Sequence, residues 1–363
     1  MKILTIANEK GGVGKTLIAV QFAYYCAQKF GLRVGLIDFD QQSNSTTALI
    51  KNNSAKLSKI TATELLVRES STLKNLIEED LKGANSIVCF GADNDLSEVE
   101  RLGSDLHNQF FGNFTQNLQL LTPYFDILII DTNPNPDIRS NLALLCATHL
   151  VSPLQLNGEA IDGIARLISR LDTLSQINKA LTLDTGFIGM LPNMLKSASS
   201  FQVENAENLF AKSEKLMIKW NKTSLVYREN SNGVKSPVKD DSGNYVIQQK
   251  EHFCAIPEAN CIMVAQSKGT PLWSMPGADK AWSAMKIAFF QILSRINPER
   301  ADNSTPEQMA VFSKALALYG ENGKEIIKNF FMTESSSSLP GMNPAEQQLL
   351  RELKASAPLS IVL

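Results

Sequence analysis

The stretch "NEKGGVGKT", Asn8 to Thr16, decides how this chain is read. It ends as a phosphate-binding loop of the form G-x-x-x-x-G-K-[ST] does, yet Glu9 stands where that form has its first glycine, and an extra cation, Lys10, follows. Glycines 11, 12 and 14 let consecutive backbone N–H groups converge on phosphate oxygens, and a helix starting here adds its positive end. On this reading Gly11, Gly12, Val13, Gly14, Lys15, Thr16 and Leu17 form an anion cradle suited to nucleotide phosphates. Lys15 reaches the β- and γ-phosphates, and the Thr16 hydroxyl serves Mg²⁺. A glycine turn that merely joins strand to helix is the plain alternative. The context weighs against it, because the β-rich run "KILTIAN" precedes the loop and the helical pattern "TLIAVQFAYYCAQKF" follows.

Working outward, "RVGLIDFD" reads as a buried strand closing on Asp38 and Asp40, and "FDILIID" as another closing on Asp131. Carboxylates at such ends steady a hydrated Mg²⁺, one of them in the Walker-B position, although acids there can also cap helices or face solvent. A helix near Arg139–Ala147, a strand at "THLVSPL", an amphipathic helix from about Glu159 to Leu174 and a strand at "TGFIGML" continue the alternation. The expected fold is α/β: a doubly wound, mostly parallel sheet with helices on both faces and ligands at the carboxyl ends of its strands.

Residues 1–297 are expected to form this domain, with an insertion at about 197–250, and 298–363 to form a helical C-terminal extension. Within the insertion, Ser197–Trp220 has the pattern of one long helix, and "SNGVKSPVKDDSGNYV" that of a β-ribbon or loop. The sheet pattern resumes at "HFCAIP", and Gly277–Ile296 reads as the closing helix. Beyond Pro298 come two helix-like segments, the low-complexity "TESSSSLPGMNP" and a final "AEQQLLRELKA".

Composition narrows the classes. The 363 residues are 44% hydrophobic and 20% charged with a net charge of −2, which argues against a uniformly basic nucleic-acid binder. No apolar run approaches the roughly 20 residues needed to span a bilayer, and Ile3–Ala7 is too short for a secretory signal. A cytoplasmic protein is expected. Five scattered cysteines without C-x-x-C and three isolated histidines favour packed thiols over disulfides, zinc or an iron–sulfur cluster.

"KGGVGKT", "LIDFDQQSNST" and "FDILIIDTNP" resemble the deviant-Walker ATPases that include plasmid-partition ParA and the division-site protein MinD. The resemblance implies that Lys10 crosses into a second subunit and contacts its nucleotide phosphates, so that ATP is sandwiched in a homodimer. It implies that Asp40 positions the attacking water, that Asp38 and Asp131 serve the metal shell, and that Asn193 of "LPNML" and the Pro257 loop lie near adenine. It implies a slow ATPase that partitions plasmid or other mobile DNA. The ATP dimer would bind nucleoid DNA non-specifically until a ParB-like centromere-binding partner stimulates hydrolysis. A sequence opening at the first sheet strand is not expected to bind an operator through an N-terminal helix-turn-helix.

The chain departs from the family pattern at "DQQ" (Gln41, Gln42), at "DTNP" (Asn133, Pro134) and at Glu258, near which DNA-binding relatives place arginine. Another cationic surface is expected on the presumed helix: Lys212, Lys215, Lys219 and Lys222 fall within about 80° of a helical wheel, opposite Leu209, Leu216, Met217 and Trp220. A solvated face is the plain alternative to DNA contact here. Two rival readings keep the ATPase. One is a MinD-like membrane-surface protein, disfavoured because the tail "QQLLRELKASAPLSIVL" holds only Arg351 and Lys354 and is broken by Pro358; the other positions a protein cargo.

Overall fold

The computed structural model describes residues 1–51, 53–84, 86–102, 106–156, 160–179, 186–196, 200–231, 233–241, 246–300, 306–319, 330 and 339–356. Two compact units divide the chain, Met1–Met217 with Ala255–Ala281, and Ile218–Cys254 with Trp282–Leu363.

The first unit alternates strand and helix: β1 (Lys2–Ile6), α1 (Lys15–Tyr24), β2 (Val34–Asp38), α2 (Asn44–Ile50), β3 (Lys56–Leu57), α3 (Ala62–Val67), α4 (Ser70–Leu81) and β4 (Ile87–Phe90). There follow α5 (His107–Leu121), β5 (Ile127–Asp131), α6 (Ile138–Leu145), β6 (His149–Leu154), α7 (Ala160–Ser175), β7 (Phe187–Pro192) and α8 (Ser200–Ser213). The seven strands form one parallel sheet in the order β3-β4-β2-β5-β1-β6-β7. From β1 the chain builds to one side through β2–β5 and to the other through β6 and β7, so the winding reverses at β1, where such sheets bind ligands. Every residue of β2 and β5 is buried, which explains their unbroken apolar runs: both faces of the sheet are covered. α1 is buried along nearly its whole length and therefore shows no amphipathic stripe. Beyond Tyr24 it continues as a π turn, Tyr25–Lys29, and the left-handed Gly31 lies just past its end.

In the second unit, β8 (Lys219–Leu225) and β9 (Tyr227–Glu229) are followed by β10 (Lys235–Pro237) and β11 (Ile247–Phe253). β8 pairs antiparallel with β11, and β9 with β10. The two ribbons share a backbone junction, in which Val226 donates to Val246, Val246 to Val238 and Val238 to Val226 at 2.8–2.9 Å. α9 (Asn260–Lys268) returns to the first unit. α10 (Asp279–Ile296), α11 (Pro306–Tyr319) and α12 (Pro344–Ser356) follow, with Lys314 of α11 paired to Glu346 of α12 at 2.5 Å.

Two expectations are corrected. Ser197–Trp220 is not one helix: α8 stops at Ser213, one 3₁₀ turn follows, and Lys219 already lies in β8. The open edge of β7 explains the change, because Met217 bridges Met190 there and is buried in extended backbone. Lys212, Lys215, Lys219 and Lys222 therefore do not form a helical stripe. Lys219 and Lys222, three apart on one strand, project to opposite faces. Likewise "HFCAIP" does not rejoin the main sheet as a strand, since its first residues close β11 against β8. The start of that helix pattern, the Glu159 start of α7 and the first half of "TESSSSLPGMNP" lie outside the described residues.

Within the first unit, Tyr24 Oη donates to Gly269 O at 2.8 Å from a fully buried position and fastens α1 to the turn after α9. Tyr24→Phe should lower unfolding free energy by about 1 kcal/mol with no change in the urea m-value, measured by equilibrium denaturation.

Candidate functional site

The loop between β1 and α1 wraps the carboxyl end of β1. Its path needs glycine at 12 and 14, whose φ angles are +74° and +92°. At Gly14 space is also decisive: a Cβ would stand 2.0 Å from Asn193 Nδ2, which donates to Val13 O at 2.8 Å. Asn193, at the end of β7 and 2% exposed, thus forms one wall of the loop, and its Oδ1 is buried without a hydrogen-bond partner. Pro257 stands beside this wall. It bridges Leu195, and Ile256 on its N-terminal side donates to Pro192 O and accepts from Leu195 N. Glu258 pairs with Lys196 at 3.4 Å in an exposed position.

Lys15 is buried and folds back into its own loop, its Nζ donating to Asn8 O (3.0 Å) and Lys10 O (3.1 Å). Burial lowers its pKa, while Asp131 and Asp40 act in the opposite sense. Lys10 is half-buried, its N–H held by Asn8 Oδ1 at 2.8 Å. Asn8 is anchored in turn on Ser152 Oγ and Pro153 O. Gly11, Gly12 and Thr16 remain open to solvent in part, whereas Val13 and Leu17 are buried. Glu9 meets no loop glycine's role; its carboxylate is paired with Arg170 of α7 at 3.2 Å, and Arg170 also donates to Ser140 Oγ (3.1 Å) and Asn141 Oδ1 (2.6 Å) of α6.

Beside the loop, Asp38 and Asp131 end neighbouring strands in direct register, and both are fully buried. Thr46 donates to Asp38 Oδ2 from its amide (2.9 Å) and its hydroxyl (2.7 Å), and Ser45 Oγ donates to Asp131 Oδ2 at 2.6 Å. Burial raises both carboxyl pKa values, and at Asp131 the neighbouring Asp38 adds repulsion, opposed by the Ser45 and Thr16 hydroxyls and the Lys15 charge. Asp131 Oδ1 is buried with no hydrogen-bond partner. An orphaned carboxylate oxygen beside a second carboxylate and a threonine hydroxyl, all hard oxygen donors, fits a divalent cation such as Mg²⁺. Asp40 lies two residues beyond the end of β2, half-buried, with its Oδ1 accepting from Gln42 N.

The structure therefore gathers the loop, Asp38, Asp40, Asp131, Asn193 and Pro257 at one end of the sheet. It does not gather the lysines, which occupy α8, the 3₁₀ turn and β8. Sequence reading missed Asn8, Ser45, Thr46 and Arg170. The hydroxyl run "NST" after "DFDQQS" was the available signal for two of these; nothing local marks Arg170, which is 161 positions from its partner.

A glycine loop between β1 and a buried helix, on a parallel sheet that reverses at β1, defines a P-loop nucleotide-binding protein. A family model described as an AAA domain matches residues 1–183. ParA of Myxococcus xanthus is 30% identical over 216 residues, 58% of this chain and 72% of that protein. The chain belongs to the ParA/MinD family of P-loop ATPases. Two IncC proteins of Escherichia coli are 26% and 30% identical, over 58% and 60% of this chain, and the matches span 54% and 57% of their length, little more than half. The Cyanothece McdA–ATP complex shares the fold, with a TM-score of 0.57, 20% identity, and coverage of 80% of this chain and 96% of that one.

Gly14→Ala should cost about 2–4 kcal/mol, from positive-φ strain and the clash with Asn193. Asn193→Ala in the same background should restore the part due to the clash, so a double-mutant cycle by urea denaturation should give a coupling of about 1 kcal/mol or more.

Proposed function

We propose that the protein is a slow ATP hydrolase of the ParA type that partitions plasmid or mobile-element DNA. The observation that supports this most is the juxtaposition of the Lys10–Thr16 loop with the Asp38–Asp131 pair, whose inner oxygen has no partner.

ATP lies against the loop N–H groups. Lys15 exchanges the Asn8 and Lys10 carbonyls for phosphate oxygens, a short movement for a side chain already at the cradle. Thr16, Asp38 and Asp131 would hold Mg²⁺, with Asp40 at the outer side of that group, and the bound ion would supply charge neutralisation at the phosphates. Asp40, open to water, orients the nucleophile. Asn193 and Pro257 bound the base end of the cleft. Lys10 reaches the nucleotide of a second copy, so occupancy by ATP and dimerisation become linked, because that contact with the second copy's phosphates exists only in the dimer. The dimer binds DNA non-specifically, and a ParB-like adaptor ends the bound state by stimulating hydrolysis. Among the described residues no helix is long and apolar enough to cross a membrane.

Lys15→Ala should weaken ATP binding about 100-fold or more in isothermal titration, the loss of roughly 3 kcal/mol of charge-assisted contact. Lys10→Ala should keep one nucleotide per protomer yet lose the ATP-dependent dimer in light scattering; a dimer that persists unchanged removes the sandwich. Asp40→Ala should retain the ATP dimer while turnover falls by about 10² or more. Chelation of Mg²⁺ should abolish the rise in thermal midpoint that ATP produces.

A further inference from the structure

The β8–β11 ribbon has two chemically different faces. Register pairs Trp220 with His252 and Lys222 with Lys250, which places these four side chains on one face, with Gln248 two residues further along β11. On the other face lie Lys219, Asn221 and Glu251. The ribbon's single carboxylate, Glu251, is already paired with Lys219 at 2.8 Å on that other face. Lys222 and Lys250 stand directly opposite each other with no ion-pair partner among the described residues. Like charges directly opposite across a ladder destabilise it. The imidazole of His252 senses them: burial lowers its pKa, and the two ammonium groups lower it further. A ribbon that keeps such a pair uncompensated has its balancing charge elsewhere.

We propose that this face, carried by Lys222, Lys250, His252 and Trp220, is the surface that grips the phosphate backbone of duplex DNA, the ribbon lying in the major groove. The inference rests on the DNA-binding part of the proposed function and assigns it a place. Two strands about 4.8 Å apart match a groove about 12 Å wide, which admits a two-stranded ribbon. A lipid surface fits less well. Trp220, the large apolar ring of this face, lies stacked on His252 at 5.4 Å with its Nε1 donating to Phe253 O at 3.3 Å, so it is half-buried rather than extended for insertion. Phosphate contacts carry no sequence information directly, so lysines aimed at phosphates on a face whose strands hold no carboxylate give binding with little sequence preference and strong salt dependence.

The test uses the full chain with ATP and Mg²⁺ and two unrelated duplexes of the same length, with fluorescence anisotropy read across a salt series. The variant Lys222→Gln/Lys250→Gln should weaken binding at least tenfold on both duplexes and reduce the slope of log K against log salt by about two per protomer. Its thermal midpoint should equal or exceed that of the parent, because the cross-strand repulsion is gone, and ATP-dependent dimerisation should be intact. Lys222→Arg/Lys250→Arg should retain DNA binding. Parent protein that binds DNA while the glutamine variant binds equally well overturns this surface and leaves the partition reading standing. Parent protein that fails to bind DNA overturns both. Sedimentation with anionic phosphatidylserine vesicles, lost in the glutamine variant while DNA binding persists, would assign the face to a membrane and overturn the proposal.

Discussion

Two carboxylates ending adjacent strands, Asp38 and Asp131, set the terms for this end of the molecule. Placing both in full burial opposes their ionisation, and the protein leaves one oxygen without any donor. The surroundings answer that cost from three directions: Ser45 and Thr46 at the start of α2, Lys15 from the loop, and Thr16 at the start of α1. Loop, helix starts and strand ends are thus held in one arrangement by a shared need for positive charge. That arrangement is what a nucleotide with its divalent ion completes.

The sheet was legible because its physics is local. Fully buried strands such as β2 and β5 have to be apolar at every position, and glycines at 12 and 14 have to stand where φ is positive. Legibility failed in two circumstances. The span from α3 to α5 mixes short elements whose packing depends on distant partners, as when the buried Asn117 of α5 donates to Leu65 and Arg68 carbonyls at the end of α3. The helix projected through Trp220 failed because a helical wheel weighs only side-chain spacing. Here the open edge of β7 captured Met217, and β11 then supplied a partner for β8, two influences that no window of sequence contains.

The same limit governs the site. Residues within the loop or at strand ends were found from sequence because chemistry and spacing coincide there. Those that tune it came from elsewhere in the chain. Asn193 was reached only through family resemblance, and its contact with Gly14 gives it a structural reason independent of adenine: it fixes the loop's inner wall. Ser43 and Met194, both non-glycine residues with positive φ, flank these same segments, which agrees with backbone strain collecting near functional groups.

Glu9, the misfit that first set this loop apart, carries a mechanical consequence. An ordinary loop of this kind touches its surroundings there only through backbone, but here a charged tether runs from the residue before Lys10 to Arg170, and from Arg170 to the first turn of α6. The Glu9–Arg170 pair therefore ties α7 to the chain segment between Asn8 and Lys10, whose two carbonyls accept from the Lys15 ammonium. The placing of the outer helices and the placing of the phosphate cradle are thereby set by one shared side chain, Arg170.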